Sequence, residues 1–175
     1  MQNKIAVLGF RGVGKSTVSR LLHKKTGMPL YILDHEIEKS QGKNISDIVE
    51  AKGWNYFRGI ELEHLKFAAE KKTLILDCGG GILEGPDGNF SEEKNEILAK
   101  NFFCIYLYLP DAMLLTRLQK MKNNSRRPGL PGDLKKTLEK RTPWFRKIAN
   151  AEINTDGLSP QEVLNRMMEK IYCHA

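Results

Sequence analysis

The sequence predicts an α/β fold in three layers, about five parallel strands flanked by helices. Short apolar runs alternate with helical patterns along all 175 residues. The clearest runs, "TLILD" and "FFCIYLYL", are apolar on consecutive residues, as strands covered on both faces are. A glycine-rich stretch joins the first run to the first helical pattern. A chain of this length buries a proper core, so one domain over 1–175 is expected.

The elements follow in order. "IAVLG" (5–9) reads as a buried strand and is followed by a helical pattern from Lys15 to about Lys25. "PLYIL" (29–33) is a second short strand. Two helical pieces come next, the second opening at Ser46 as N-cap and stopping at Gly53. A longer helix runs from about Asn55 to Lys71. "TLILD" (73–77) and "FFCIYLYL" (102–109) are the third and fourth strands, and a helix over 111–121 follows Pro110. "KNNSRRPGLPGD" has no apolar periodicity and is expected to be a mobile loop, about 122–132. A helical segment from Asp133, interrupted by Pro143, leads to a fifth strand at 151–154. The last helix takes Ser159 as N-cap and Pro160 as its first residue.

Charge is concentrated. Ten basic residues lie between Lys120 and Lys147 against only Asp133 and Glu139, so this segment carries +8 of a net +7 and the rest of the chain −1. Such a segment attracts an anion, either a nucleic-acid backbone or a small phosphorylated ligand. No aromatic-rich strand or recognised binding motif accompanies it, which ranks nucleic acid last. The three cysteines, Cys78, Cys104 and Cys173, are odd in number and unevenly spaced, which suits reduced thiols in a cytoplasmic protein. No histidine pair has metal-ligand spacing, no run is long enough to span a bilayer, and "MQNKIAVLGF" lacks a signal-peptide pattern. No zinc site and no membrane partner are expected, and the working unit is expected to be a monomer.

The strongest chemical signal is "GFRGVGKST", Gly9 to Thr17. It satisfies G-x-x-x-x-G-K-[ST] between a predicted strand and a predicted helix, the context that gives the motif meaning. Gly12, Val13, Gly14, Lys15, Ser16 and Thr17 would wrap nucleotide phosphates in backbone N–H groups at a helix N-terminus. Lys15 would reach the β- and γ-phosphates, and the Ser16 hydroxyl would bind Mg²⁺. No Asn-Lys-x-Asp element of a GTPase follows. A small P-loop kinase fold with ATP as co-substrate fits the length, the basic segment serving as a lid that excludes water.

Further stretches resemble the shikimate kinase family: the phosphate loop itself, "DHEIEKSQG" (34–42), "GWNYFRGIE" (53–61), "CGGG" (78–81), "RRP" (126–128) and "KRTPWFRKIANAEINTDGLSPQEV" (140–163). They are in order and spread over nearly the whole chain. The residues suit a hydroxy-carboxylic acid acceptor independently of the name. Arg58 and Arg146 can offer forked donors to a carboxylate, Asp34 can orient or deprotonate a hydroxyl, and Gly80 and Gly81 allow a ring close to the backbone. The resemblance implies these same roles, with the acceptor held by helices over about 35–71. It also implies that Arg127 of the lid contacts the transferring phosphate and that Arg117 lies against the adenine. It implies phosphorylation of a shikimate hydroxyl, giving shikimate 3-phosphate in aromatic amino acid synthesis.

Three departures from the family pattern stand out. Ile32 replaces the first Asp of Asp-x-Asp on the second strand, Trp54 stands where Glu is common, and the lid reads "RRPGLPG". Asp77, at the end of the third strand, is a candidate to take over the Mg²⁺-linked function lost at Ile32, since such an ion needs only one or two carboxylates. Two other readings stay open: a kinase of the same fold for another polyol acid such as gluconate, and a non-catalytic nucleotide-binding relative.

Overall fold

The computed structural model describes residues 2–121 and 133–173. Five strands, β1 (Lys4–Leu8), β2 (Leu30–Ile32), β3 (Leu74–Asp77), β4 (Phe103–Tyr108) and β5 (Ala151–Asn154), form one parallel sheet in the order β2-β3-β1-β4-β5. The helices are α1 (Lys15–Thr26), α2 (Leu33–Gln41), α3 (Ile45–Ala69), α4 (Glu92–Asn101), α5 (Asp111–Met121), α6 (Leu134–Ile148) and α7 (Pro160–Cys173).

The consecutive apolar residues of the strands divide by parity, because successive side chains leave opposite faces of a strand. Ile5, Val7, Ile75 and Ile105 pack with α1, α5 and α7 on one side. Ala6, Leu8, Leu76 and Cys104 pack with α2, α3 and α4 on the other. Helix α6 serves both layers, Leu138 on the first side and Phe145 and Ile148 on the second. The chain leaves β1 for one half of the sheet and returns past it to build the other half. The crevice at the carboxyl end of β1 is therefore the switch point where ligands of such sheets gather.

Several boundaries differ from expectation. Leu33 is the first residue of α2 rather than the last of β2, because its side chain is fully buried against the α2–α3 layer. The N-cap of α3 is Asn44, whose side chain accepts from Asp47 N, and Ser46 already lies inside the helix. Gly53 does break that helix: at φ 79° and ψ 169° it turns the chain between two helical pieces, a conformation strained for any other residue. Pro143 does not interrupt α6. It removes one N–H from the ladder, but the carbonyl it would have served belongs to exposed Glu139, and the apolar face carries the helix through. At α7 the expected cap is present: Ser159 N and Oγ both donate to Glu162, and Glu162 N donates back to Oγ.

Between β3 and α4 the chain makes a small loop, with Glu84 bridging Phe90 in antiparallel fashion. It is pinned to α6 by Lys140, which donates to the Gly88 carbonyl, and by the Phe90–Trp144 ring pair at 5.6 Å.

Candidate active site

The phosphate loop leaves β1 at Gly9 and enters α1 at Lys15. Gly14 is its N-cap at φ 99°, with no side-chain cap and no acid in the first turn of α1, so the helix offers its positive end unopposed. Val13 is buried in the core beneath the loop, and Leu114 and Leu118 of α5 press against Gly12. Lys15 is buried, and its Nζ donates to the Phe10 carbonyl at 3.0 Å. Ser16 follows at the edge of the crevice and Thr17 is exposed.

Beside this loop lies a cleft bordered by Phe10, Arg11, Asp34, Trp54, Arg58, Gly79 to Gly81 and Arg141. Asp34, in the first turn of α2, stands over Gly79, where a Cβ would come within 2.8 Å of its Oδ1. Arg58 sits over Gly81, where a Cβ would overlap its guanidinium and force that side chain to shift. Two rings flank the Arg58 guanidinium carbon, with Trp54 at 5.2 Å and Phe57 at 5.3 Å to the ring centroids. Trp54 in turn meets Phe57 edge-on.

Arg58 is 4% exposed and holds two carboxylates. Its Nη1 donates to both oxygens of Glu61 at 3.0 and 2.9 Å, and its Nη2 to Glu84 Oε2 at 2.8 Å. Burial alone would lower its pKa, but these two carboxylates outweigh that and raise it. Arg141, 3% exposed, donates from Nη2 to the same Glu84 oxygen and from Nη1 to the Gly80 carbonyl at 3.1 Å. Its Nε is buried and has no acceptor among the described residues. A buried N–H without an acceptor is costly.

The expected site residues thus divide. Lys15, Ser16 and the loop glycines are in place, and Asp34, Arg58, Gly80 and Gly81 share the cleft. Arg146 does not join them. It is exposed and faces Glu152, with Nε 3.5 Å from Oε2. Five residues along a helix is a rotation of about 140° beyond a full turn, which places Arg146 well away from the Arg141 face. Arg141 occupies the cleft instead, and the sequence did contain its signal: it falls between Leu138 and Phe145 on the apolar face of α6. The Arg58–Glu61 pair, one turn apart on α3, is a spacing the sequence offers; Glu84 and Lys94, which complete the ion network, were not anticipated. Arg117 is exposed on α5. Arg127 and the lid over 122–132 lie outside the described residues.

Asp77 is buried at the carboxyl end of β3, in register with Val7 on one neighbour and Ile32 on the other. By parity it shares the α1 side of the sheet with Val7 and Ile75. Burial, with Cys104 and Asp77 nearby, holds the thiol of adjacent Cys78 well above its ordinary pKa.

Residues 11–172 match the family described as shikimate kinase. The chain belongs to the shikimate kinase family. A curated shikimate kinase of Dehalococcoides mccartyi is 35% identical over 97% of this chain and 94% of its own length. A solved shikimate kinase from Acinetobacter baumannii in complex with shikimate superposes with a TM-score of 0.86 at 29% identity, covering 98% of this chain and 94% of that one. A gluconokinase from Sinorhizobium meliloti reaches only 0.53 at 15% identity, a likeness of fold alone. Membership sets the two arginines, the glycine floor and the phosphate loop in one small-molecule kinase.

Proposed function

We propose that this chain transfers the γ-phosphoryl group of ATP to the 3-hydroxyl of shikimate, giving shikimate 3-phosphate and ADP. The observation that carries the reading is the pair of buried arginines that line one cleft with Asp34. Arg58 and Arg141 fork onto the acceptor carboxylate and fix the ring against Gly80 and Gly81. Asp34 takes a hydrogen bond from the attacking hydroxyl and receives its proton as the oxygen bonds to the γ-phosphorus. The bond from that phosphorus to the β,γ-bridging oxygen breaks, and ADP leaves. Lys15 and the N–H groups of the loop stabilise the charge on the phosphate oxygens, with Arg127 joining from the lid and Arg117 lying against the adenine.

The donors at the phosphate loop suit Mg²⁺: the Ser16 hydroxyl at the start of α1 and the Asp77 carboxylate on the same side of the sheet. Among the described residues no group of three or more His, Cys, Asp or Glu could hold a metal, and an ion sharing phosphate oxygens and keeping several waters needs none. Ser16 would bind it directly and Asp77 through water, in place of an acid at Ile32. Such an ion supplies neutralisation of the β- and γ-phosphate charge. Cytoplasmic location and a monomeric unit belong to the same proposal, since ATP is available there and every group named lies on one chain. No helix among the described residues is long and apolar enough to cross a membrane.

The test is ADP formation from Mg·ATP with shikimate, with gluconate and with neither. Turnover that depends on shikimate is the expected result. Turnover on gluconate alone, or none with either acid, would overturn it.

A further inference from the structure

Helix α4, "EEKNEILAKN", is polar, and among its ten residues only Lys94 and Leu98 are buried. Lys94 is the surprise, with a side chain just 1% exposed. An ammonium is among the costliest groups to bury and persists inside only when paired. Lys94 Nζ donates to Glu61 Oε2 at 2.6 Å and to the Glu84 carbonyl at 2.9 Å. It does not border the acceptor cleft.

Its effect on the cleft follows from counting charges. Arg58 and Arg141 line the cleft together with Glu61, and Glu84 holds both arginines from outside its lining. Those four groups alone are neutral, and an incoming carboxylate would be desolvated against arginines already matched by anions. Lys94 adds the fifth charge, so the buried cluster carries +1. Arg11 and Asp34, at the cleft's border, add one charge of each sign and leave the count unchanged. The remaining positive charge equals that needed by one carboxylate.

We propose that Lys94 is a positioning residue that sets the acceptor specificity: by neutralising Glu61 from behind, it leaves the two arginines one net positive charge with which to select a monocarboxylate. This rests on the reading of the cleft as the shikimate site. Lys94 touches neither acceptor nor nucleotide, and it acts through Glu61 on Arg58. Burial depresses its pKa, and the Glu61 carboxylate opposes that shift without cancelling it.

The test compares dissociation constants for shikimate and for its uncharged methyl ester, by calorimetry, in the wild-type chain, Lys94→Met and Glu84→Gln. Wild-type turnover on shikimate is measured alongside; if it is absent, the site reading fails rather than the role of Lys94. Lys94→Met is expected to weaken the acid roughly 10- to 100-fold and the ester by less than about threefold. Glu84→Gln moves the count the other way and is expected to raise the preference for the acid over the ester. It decides the matter even if Lys94→Met does not fold. Equal losses for acid and ester, or an unmoved preference in the folded variants, would make Lys94 a purely structural ion pair and overturn the proposal.

Discussion

The two halves of the crevice attract anions by different means. On the nucleotide side the phosphate loop relies on backbone: glycines at positive φ, a helix N-terminus without an acid in its first turn, and one lysine folded onto a carbonyl of the same loop. On the acceptor side the attraction comes from five charged side chains contributed by α3, the loop after β3, α4 and α6. The first arrangement is local and tolerates change elsewhere. The second is a buried network in which each ion is satisfied only while the others are present, so the removal of one strands its partner.

That contrast can be broken most forcefully at its two centres. Lys15→Met should reduce turnover on the order of 10³-fold while leaving acceptor binding by calorimetry within about threefold, since only nucleotide-side stabilisation is lost. A comparable collapse of acceptor affinity would show that the halves are not separable. Next in size is the arginine pair on α6. Arg141→Leu should raise KM for shikimate about 100-fold or more, because it removes the fork and leaves Glu84 with one partner fewer. Arg146→Leu should change KM by less than about twofold, and a larger effect would return Arg146 to the acceptor site.

Asp77→Asn sharpens the comparison on the nucleotide side. Turnover should fall about tenfold at saturating metal, and the Mg²⁺ concentration for half-activation should rise, as expected on losing a group that touches the ion through water. An unchanged Mg²⁺ titration would remove Asp77 from the metal site. The smallest effect concerns the thiols. Cys173 is exposed, whereas Cys78 and Cys104 are buried, with Cys104 pushed up to about 12 by burial. Because the thiolate is the reacting form, thiol reagent at pH 8 should label one cysteine quickly and leave turnover unchanged. Rapid labelling of two or three in the folded chain would contradict this packing.

The same contrast explains what could be read in the sequence. The phosphate loop was legible because its chemistry comes from contiguous residues at fixed spacing between a strand and a helix. Asp34, Arg58, Gly80 and Gly81 were legible as short motifs beside strand ends. Arg141 lies inside the quoted stretch at 140–163, but Arg146, five residues on, was the arginine assigned to the acceptor, and the burial of the Leu138–Phe145 face is what separates the two. Lys94 and Glu84 gave no signal at all. One sits on a helix rich in charge and the other in a polar turn, and what buries them is contact with Arg58, Glu61 and Arg141, which are distant in the chain. The cap at Asn44 was missed for a simpler reason, since Ser46 nearby is an equally good capping residue by type.

Trp54, seated at the edge of the cleft with its ring beside the Arg58 guanidinium, has an optical consequence. The chain has two tryptophans, and the other, Trp144, packs on Phe90 away from the cleft. A Trp144→Phe variant would carry a single tryptophan, placed at the edge of the cleft and excited selectively over the five tyrosines at long wavelength. Its fluorescence would report arrival of the acceptor in real time, before any phosphoryl group moves and without a label.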